Sequence, residues 1–460
     1  MQITSLQEIK SKPVLVTGAS GFVGSHVVRE MLDQGYAVRV MVRTEGQAQA
    51  FRSLGVETTL GDLQKAESLP GVVSGVGSIL HIASIFRQAG LPDEVYRDVN
   101  ATGTQRLIDA AVAAGVTRFI HCSTNGVHGG IRNPPGNEDS PVKPGDVYQE
   151  SKWEGEQIAM RAFESGRVRG AVLRPAMIYG PGDTRLLKIF RMIARRRFFY
   201  IGRGDAFVHY IDVRDLARAF RLALEHTEVN ARAYIIAGRE ITTLRDSAER
   251  IAKIIGVRPP WLRLPVKPMQ WAGSLCEALC RPFKIEPPIF RRRVDFYTKH
   301  RSFDVSRAAR EIGFEAAQGL DAELREISDW YLAHGYYPQR PPEEAAPSPA
   351  ELDAVAAGAT LVRTAGGRIL RWSAEAERLY GHPRAEAEGA FAHLLLRTAF
   401  PVTLDVLDDQ IRRTGAWSGR VKQRDATGRS RDVGVEWARV ESSGISVVRE
   451  THRPGAGQIA

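Results

Sequence analysis

This 460-residue sequence has few cysteines and no long apolar run. Its amino terminus also lacks a basic segment followed by an apolar one. Its three cysteines, Cys122, Cys276 and Cys280, cannot all be paired and indicate a reducing compartment. No apolar run approaches the roughly 18 residues that a membrane-spanning helix needs, and no secretory signal pattern opens the chain. We therefore expect a cytoplasmic protein.

Metal-ligand spacing is also missing. Cys276 and Cys280 lie four residues apart, at helical spacing, with no neighbouring histidine. Structural zinc sites combine closely spaced cysteine and histidine ligands. Packing is the expected role of both cysteines, and no metal site is predicted.

Positive charge is in excess and unevenly placed. The net charge is +10, yet the residues from Pro341 onward hold 16 basic and 16 acidic side chains. The first 340 residues carry the whole excess, with dense basic runs at 194–199 and 290–294. No recognition helix, zinc finger or aromatic platform accompanies them, so no nucleic-acid partner is expected. An anionic ligand, cofactor phosphates or a membrane face fit the excess better.

The order of the chain predicts its architecture. Short runs rich in β-branched residues alternate with helix-period stretches, which favours a parallel sheet covered by helices on both faces. The Pro/Ala/Glu-rich stretch "YYPQRPPEEAAPSPAEL" reads as a linker, and shorter alternating strands follow it. The predicted divisions are a first domain at 1–337, with substrate parts at 180–210 and 235–330, a linker at 338–352, a second domain at 353–452 and a tail at 453–460.

A glycine triplet stands where the first strand meets the first long helix. Gly18, Gly21 and Gly24 in "TGASGFVGSHVV" are spaced G-x-x-G-x-x-G. Glycine lets such a turn approach a pyrophosphate, which the helix amino terminus attracts. The strand before it and the helix after it make this a strong dinucleotide signal.

The residues at the end of the second strand indicate whether NAD(H) or NADP(H) is the cofactor. In "VRVMVRTEG" no acidic residue is present to bind a free ribose 2′-hydroxyl. Arg39 and Arg43 are instead available for a 2′-phosphate. This favours NADP(H), with NAD(H) left open.

Tyr148 and Lys152 in "VYQESKWEGE" stand one helical turn apart. Side chains at i and i+4 share a helix face, and a nearby cation makes a phenol easier to ionise. Free tyrosine ionises near a pKa of about 10, too high for an efficient base at neutral pH. The pair alone does not decide between a surface turn and an acid/base couple in which Lys152 and an oxidised nicotinamide lower the phenol pKa, so the surrounding motifs have to choose.

Several motifs in order resemble the extended short-chain dehydrogenase/reductases, over roughly residues 12–337. "TGASGFVG" is similar to the family's cofactor loop, and "GDL" (61–63) to its adenine-side motif. "HIAS" (81–84), "VNATGT" (99–104), "CSTNGVHG" (122–129), "YQESK" and "RPAMIYGPGD" follow in the family's order. The resemblance implies a Rossmann-type doubly wound α/β fold with a small carboxy-terminal substrate subdomain.

The resemblance also implies roles. Tyr148 would be the general acid/base, Lys152 its partner, and Thr124 the hydroxyl that orients the substrate carbonyl, with Ser123 as runner-up. His81, His121 and His128 would be structural. The implied cofactor-binding residues are Gly18, Ser20, Gly21, Phe22, Val23, Gly24, Arg43, Asp62, Leu63, Ala83, Lys152 and Pro175.

The substrate is less clearly predicted. Residues 264–314 are apolar, aromatic and basic together and resemble the 3β-hydroxysteroid dehydrogenase-like branch, which suits an apolar steroid- or isoprenoid-like alcohol or ketone. Contact with a membrane surface is left open, and Trp271, Leu275 and Phe283 could instead simply pack the subdomain. Nucleotide-sugar epimerases are the rival. They often carry a phosphate-binding arginine where this chain has Val208, although Arg203 could compensate.

Residues 353–452 resemble a PAS domain, an α+β fold with an antiparallel sheet. The stretches "GRILRWSAEAERLYGH" and "RRTGAWSGRVKQRD" carry the similarity. A PAS fold does not fix a function. The flavin subtype needs a cysteine that is absent after Cys280, and His382 and His393 are weak haem candidates, so the ligand stays unknown. We expect a homodimer acting on a small-molecule substrate, with the PAS module biasing an NAD(P)-dependent oxidoreductase. The alternative is a non-catalytic redox sensor.

Overall fold

The computed structural model describes residues 6–88, 90–280, 294, 297–337, 347–356, 360–442 and 444–454. Phe283, most of the basic run 290–294, the linker residues 338–346 and the tail residues 455–460 lie outside this set. No helix within the described ranges is long and apolar enough to span a membrane.

Twelve strands and thirteen α-helices are described before the linker, together with short 3₁₀ helices at Ala66–Ser68 and Asn125–His128 and a π-helical turn at Asp98–Thr102. The strands are β1 (Val14–Thr17), β2 (Val38–Val42), β3 (Glu57–Leu60), β4 (Ser78–His81), β5 (Arg118–Cys122), β6 (Arg169–Pro175), β7 (Met177–Tyr179), β8 (Tyr200–Ile201), β9 (Phe207–Asp212), β10 (Arg232–Ile236), β11 (Ile241–Thr243) and β12 (Arg263–Leu264). The helices are α1 (Leu6–Lys10), α2 (Phe22–Asp33), α3 (Glu45–Arg52), α4 (Leu69–Val73), α5 (Asp93–Arg97), α6 (Gly103–Ala113), α7 (Val147–Glu164), α8 (Leu187–Ala194), α9 (Val213–Glu225), α10 (Leu244–Ile255), α11 (Val266–Cys280), α12 (Ser306–Ile312) and α13 (Leu320–Ala333).

The main sheet has seven parallel strands in the order β10-β6-β5-β4-β1-β2-β3. Residues of β1 alternate between two apolar cores, because successive strand side chains point to opposite faces. Val14 and Val16 pack with residues of α2, α3 and α9, whereas Leu15 packs with residues of α4, α6 and α7. Helices on both faces confirm the predicted doubly wound α/β class.

The smaller part beside this sheet holds the sheet β11-β9-β7 and the pair β12-β8. A third apolar core joins them to α8, α10 and α13, with Phe190, Tyr210 and Tyr331 among its buried members. Strand β7 directly follows β6, so the two parts share an edge at the carboxyl end of the main sheet.

The carboxy-terminal region is an antiparallel sheet with short helices, as predicted. Its helices are α14 (Pro349–Val355), α15 (Ala374–Tyr380), α16 (Arg384–Ala387), α17 (Ala392–Leu395) and α18 (Leu404–Thr414), and its strands are β13 (Leu361–Arg363), β14 (Ile369–Trp372), β15 (Ala416–Arg424), β16 (Ser430–Ser442) and β17 (Ile445–Pro454). The strand order is β14-β13-β17-β16-β15, and every second side chain of β15 is buried. Helix α14 begins inside the predicted linker, where Ser348 and Glu351 form a capping box.

Candidate active site

A cleft of about 1100 Å³ opens at the carboxyl ends of the main-sheet strands. The strand order reverses between β1 and β4, which is where doubly wound sheets bind ligands. All of the predicted catalytic and cofactor residues line this cleft, and their individual roles stay predictions. They are Gly18, Ser20, Gly21, Phe22, Val23, Gly24, Arg43, Asp62, Leu63, Ala83, Ser123, Thr124, Tyr148, Lys152 and Pro175.

The glycine loop lines the cleft and is packed so closely against its neighbours that side chains would not fit at two of its positions. Gly18 has a φ of +72°, and a β-carbon there would lie 2.7 Å from the Ala83 nitrogen. At Gly24 a β-carbon would lie 2.1 Å from the Gly18 carbonyl oxygen. Helix α2 begins at Phe22 with no side chain capping its first N–H groups, so these donors remain for an anion. The loop therefore fits a dinucleotide pyrophosphate.

The two arginines predicted to face a 2′-phosphate differ. Arg43 is exposed at the rim of the cleft, and its guanidinium makes no ion pair with any described residue. Arg39 turns away, because Glu57 holds its guanidinium at 2.7 Å and the Ser74 carbonyl accepts a hydrogen bond of 2.5 Å from it. The expectation that Arg39 serves the cofactor was wrong, since its partners come from β3 and a distant turn.

Below the glycine loop, a chain of hydrogen bonds fixes the end of β4. The Thr17 hydroxyl oxygen accepts the backbone N–H groups of Ile82 and Ala83, at 3.1 and 3.2 Å. Its own proton is thus left for His81 Nδ1 at 2.8 Å, so His81 Nε2 carries a proton and donates to the Thr104 hydroxyl at 3.0 Å. His81 is structural, and the described residues hold no cluster of three or more metal-ligating side chains.

Lys152 is buried beneath the cleft, with 2% of its surface exposed. Its ammonium donates to the Cys122 carbonyl oxygen at 2.5 Å, at the end of β5. Burial lowers the Lys152 pKa, while Cys122 and Glu156 act to raise it. Burial likewise raises the pKa of the Cys122 thiol to about 11, so this cysteine is an inert packing residue.

Tyr148, one turn before Lys152, is partly buried on the cleft wall. Burial raises its pKa above the ordinary value, and Arg87 and Arg185 are the cations that oppose this effect. The Lys152 ammonium donates to the strand carbonyl instead of to the phenol, and its predicted effect on the phenol pKa beside an oxidised nicotinamide stays a prediction. With its pKa raised by burial, the phenol is neutral at neutral pH.

The two hydroxyls after β5 have different surroundings. Ser123 is buried and donates to Glu156 at 2.5 Å, and Arg174 holds the same carboxylate at 2.5 Å. Thr124 caps the following turn by accepting the Gly126 N–H at 3.1 Å, which leaves its own proton for a ligand in the cleft. The geometry supports Thr124 over Ser123 as the orienting hydroxyl.

Comparison with known proteins agrees with this geometry. The family model for the NAD dependent epimerase/dehydratase family matches residues 14–237. "Sterol demethylase protein B" of Methylococcus capsulatus is 32% identical over 340 residues, 70% of this chain and 98% of that protein. The chain belongs to the NAD-dependent epimerase/dehydratase family.

Two further relatives of this epimerase/dehydratase chain are informative. "3 beta-hydroxysteroid dehydrogenase/Delta 5-->4-isomerase" of Mycobacterium tuberculosis is 28% identical over 342 residues, 70% of this chain and 90% of that protein. The crystal structure of gox2253 superposes with a TM-score of 0.62 and 28% identity, covering 71% of this chain and 99% of that one. Members of this family are NAD(P)-dependent dehydrogenases, reductases or epimerases, so the chain is an enzyme of this kind.

Sequence reasoning missed three residues that surround Tyr148 in this epimerase/dehydratase site. The Phe86 ring meets the Tyr148 ring edge-on at 4.9 Å. The Arg87 guanidinium lies 5.5 Å from the Tyr148 ring and pairs at 2.7 Å with Asp146, the cap of α7. Arg185 comes from the loop after β7. Phe86 and Arg87 come two and three residues after "HIAS", so reading past that motif would have found them.

The substrate end of the epimerase/dehydratase cleft also differs from expectation. Val208 is fully buried, as its place in the core of the smaller part requires. Arg203, suggested as a replacement cation, is not among the residues that line the cleft. Arg301 does line it and forms a β-bridge with Val208. A cation is therefore present there, from a position that sequence spacing could not reveal.

The aromatic helix α11 lies away from the cleft. Trp271 is 81% exposed, and Leu275 and Trp261 are exposed at 62% and 83%. None of them lines the cavity, and the expectation that Trp271 and Leu275 pack the subdomain was wrong. Each of these three apolar side chains is therefore exposed.

The carboxy-terminal domain has a second, much smaller cavity, of about 20 Å³, beside His393. This space suffices for about one water molecule and not for haem. Burial lowers the His393 pKa to about 3, so this histidine is neutral and enclosed.

Proposed function

We propose that this enzyme transfers a hydride between NADP(H) and an alcohol or ketone. The observation that carries the proposal is the convergence of Tyr148, Lys152 and Thr124 on one cleft with the open glycine loop. The bound nicotinamide supplies the hydride in one direction and accepts it in the other.

The protein's own groups move the proton. In ketone reduction the neutral Tyr148 phenol gives its proton to the substrate oxygen as the carbon accepts hydride. The Thr124 hydroxyl donates a hydrogen bond to the same oxygen and holds it in place. The Lys152 ammonium, fixed on the Cys122 carbonyl, orients the cofactor side of the site. In alcohol oxidation the same proton moves in reverse.

Arg43 supports NADP(H) over NAD(H). It stands at the end of β2, exposed at the rim of the cleft, while Gln47 bonds both to the Arg43 backbone N–H at 3.1 Å and to Ser20 at 3.2 Å. A 2′-phosphate would find there a guanidinium with a bidentate donor fork. Arg43→Asp should reverse the preference, measured as the ratio of kcat/KM values for NADPH and NADH.

An apolar, steroid- or isoprenoid-like substrate is supported by the apolar part of the cleft wall outside the glycine loop. The apolar side chains on this wall are Ile85, Phe86, Leu91, Val95, Met177, Ile178, Leu186 and Ile189. Two relatives carry sterol or steroid names. Burying such side chains against a ligand contributes about 25 cal/mol per Å², which suits a large apolar molecule.

A nucleotide sugar is the second candidate, and Arg301 is the observation that favours it. Its guanidinium could meet the diphosphate of such a substrate. The two candidates differ in what Arg301→Met does: loss of kcat/KM with a nucleotide sugar supports the second, and an unchanged value with a ketosteroid supports the first.

We further propose that the carboxy-terminal domain is a PAS module that biases the enzyme, that the protein is a homodimer, and that α11 touches membranes. The strand order and helix placement of the carboxy-terminal domain support the PAS identity.

The exposed Trp261 and Trp271, with Arg263 and Lys267 near them in the sequence, have the composition of a membrane-interface patch. Vesicles with anionic lipid should bind the protein, and Trp271→Ser should weaken that binding. A non-catalytic redox sensor is disfavoured, because Tyr148, Lys152 and Thr124 are all retained.

The decisive experiment is a fluorescence screen of NADPH and NADH consumption against ketosteroids, isoprenoid ketones and nucleotide sugars. Tyr148→Phe keeps the ring against Phe86 and removes only the hydroxyl, so it is the matched control. We expect it to lower kcat by about 100-fold or more. Full activity of this variant would refute the assigned proton donor.

A further inference from the structure

Two helices that are far apart in sequence lie side by side and parallel. Helix α2 carries the amino terminus that faces the cleft, and α18 belongs to the carboxy-terminal domain. The contacts join residues whose numbers rise together along both helices: Ser25 with Thr403 at 3.1 Å, His26 with Asp405 at 3.0 Å, Arg29 with Asp409 at 3.2 Å and Asp33 with Arg413 at 2.7 Å. Opposite charges meet in the pairs Arg29–Asp409 and Asp33–Arg413, and the His26 ring faces the Asp405 carboxylate.

Burial within this series is graded. The outermost pair, Asp33 and Arg413, is 40% and 54% exposed, whereas His26 and Asp405 are 3% and 5% exposed. Burial opposes ionisation of Asp405, but His26, Thr403 and Arg29 together hold the pKa of its carboxyl below the usual range. A buried charge that loses its partner is costly, so this rung fixes the two helices more firmly than the exposed one.

Asp405 touches a second element of the cleft. Gly182 has a φ of +89°, and a β-carbon there would lie 2.2 Å from Asp405 Oδ1. Gly182 belongs to the segment between β7 and α8, whose next residues, Asp183, Arg185 and Leu186, line the cleft. One carboxylate of the carboxy-terminal domain thus contacts both the cofactor helix and the substrate loop.

The two contacts of Asp405, with His26 and with the loop at Gly182, both lead to Phe22 in the cleft. The His26 ring packs edge-on against Phe22 at 5.4 Å, and Phe22 is the first residue of α2 and lines the cleft. The Arg185 guanidinium lies 5.2 Å from the same Phe22 ring. A displacement of Asp405 would therefore reach the helix amino terminus through His26 and Phe22, and the loop through Gly182.

The apolar core makes this docking stiff. Val402, Val406 and Leu407 of the carboxy-terminal domain belong to the same buried cluster as Val27 and Met31 of α2. Packed interiors transmit small shifts because they have few voids.

We propose that Asp405 is a positioning residue for the cofactor, through which the carboxy-terminal domain holds the first turn of α2 and the loop 180–186. The domain completes the dinucleotide site from behind without lining it. This inference depends on the proposed function only in requiring that the cleft binds a nicotinamide dinucleotide.

The test uses the full chain and NADPH fluorescence, which needs no substrate. Asp405→Asn keeps the shape and removes the charge, and we expect the Kd for NADPH to rise about fivefold or more. Asp353→Asn is the matched control: it removes an ion pair of 2.6 Å with Arg371 inside the carboxy-terminal domain, and its Kd should equal that of wild type. Once a substrate is known, Asp405→Asn should raise KM for NADPH more than it lowers kcat.

A second measurement needs no variant. Coupling between sites is reciprocal. Saturating NADPH should therefore slow hydrogen exchange in residues 403–414 of the wild-type chain by about the same factor as the rise in Kd expected for Asp405→Asn. A Kd for Asp405→Asn within twofold of wild type would overturn the proposal, as would exchange in 403–414 that ignores NADPH. Wild-type protein that binds neither NADPH nor NADH would remove the proposed function and this inference together. Binding with a fully active Tyr148→Phe would instead refute only the proton donor.

Discussion

His81 makes the cofactor cleft sensitive to acid. Its Nδ1 accepts the proton of Thr17, whose oxygen in turn holds the backbone N–H groups of Ile82 and Ala83. Protonation of Nδ1 would remove this acceptor and leave the His81 N–H facing the Thr17 O–H, so that two donors oppose each other. Acid therefore acts directly on the segment that follows β4 and lines the cleft.

The loss of folding stability in acid can be worked out from the pKa shift of His81. Burial, with a smaller contribution from Lys152, lowers the pKa of His81 from 6.5 to about 3. The unfolded chain binds this proton below about pH 6.5 and the folded chain does not, so stability is complete above 6.5 and falls as the pH drops toward 3. At pH 4 the loss is roughly 3 kcal/mol, at 1.36 kcal/mol per pH unit. That is a large part of a typical total of 5–15 kcal/mol.

The assay compares wild type with His81→Gln, which can still accept from Thr17 but does not titrate. Urea unfolding at pH 7 and pH 4 gives the free energy of unfolding of each protein, and we expect wild type to lose roughly 3 kcal/mol more than the variant. Acid-sensitive groups remote from His81 titrate in both proteins and cancel in the difference, whereas the neighbouring His121, whose pKa is lowered in part by His81, contributes to it. Equal losses in the two proteins would refute the reasoning, as would wild type being more stable at pH 4.

Three further outcomes are expected. Thr124→Val should lower kcat for ketone reduction by about 100-fold, as loss of an oxyanion donor does, while Thr124→Ser stays near wild type; a similar loss with serine would contradict the role. Ser123→Ala leaves the buried Glu156 carboxylate without one hydrogen bond, so thermal unfolding should show a lower Tm with kcat little changed, and the reverse pattern would favour Ser123 as the orienting hydroxyl. Burial raises the pKa of Glu323 to about 7 from 4.5, so the folded chain keeps a proton that the unfolded chain releases. Wild type should lose up to about 3 kcal/mol between pH 4.5 and 7, and Glu323→Gln should not; parallel losses in urea unfolding would contradict this.

The sequence predicted the parts of the site that depend on local chain geometry. The glycine turn, the strand before it and the helix after it are contiguous, so their spacing determines their structure. The pairing of Tyr148 with Lys152 on one helix face follows from the helical repeat. The alternation of strands and helices predicted the doubly wound sheet because neighbouring elements in such folds are connected in order.

What failed depended on partners distant in sequence. Arg39 is held by Glu57 and the Ser74 carbonyl, and neither could be placed beside it from strand patterns. Arg301 reaches the cleft from a segment 93 residues after Val208, its bridge partner. The Lys152 ammonium is turned by a carbonyl at the end of β5, a contact that a helix-face argument does not contain. The contacts between α18 and α2 could not be predicted either, because only packing aligns two helices that are 380 residues apart in the sequence.

The small cavity of the carboxy-terminal domain lies next to the contact that we propose positions the cofactor. Its small cavity is bounded by Arg363 and Glu450 on one side and by His334, from the end of α13, on the other. His334 pairs with Asp408 of α18 at 2.8 Å, and Arg363 binds Glu450 directly. A ligand larger than water needs more room than this cavity offers. Glu450 is nearly fully buried, so parting it from Arg363 would be costlier than parting His334 from Asp408. We expect a ligand that displaces His334 from Asp408 to loosen α18, whose preceding turn holds α2 through Asp405. Its binding and that of NADPH would then oppose each other by the same factor.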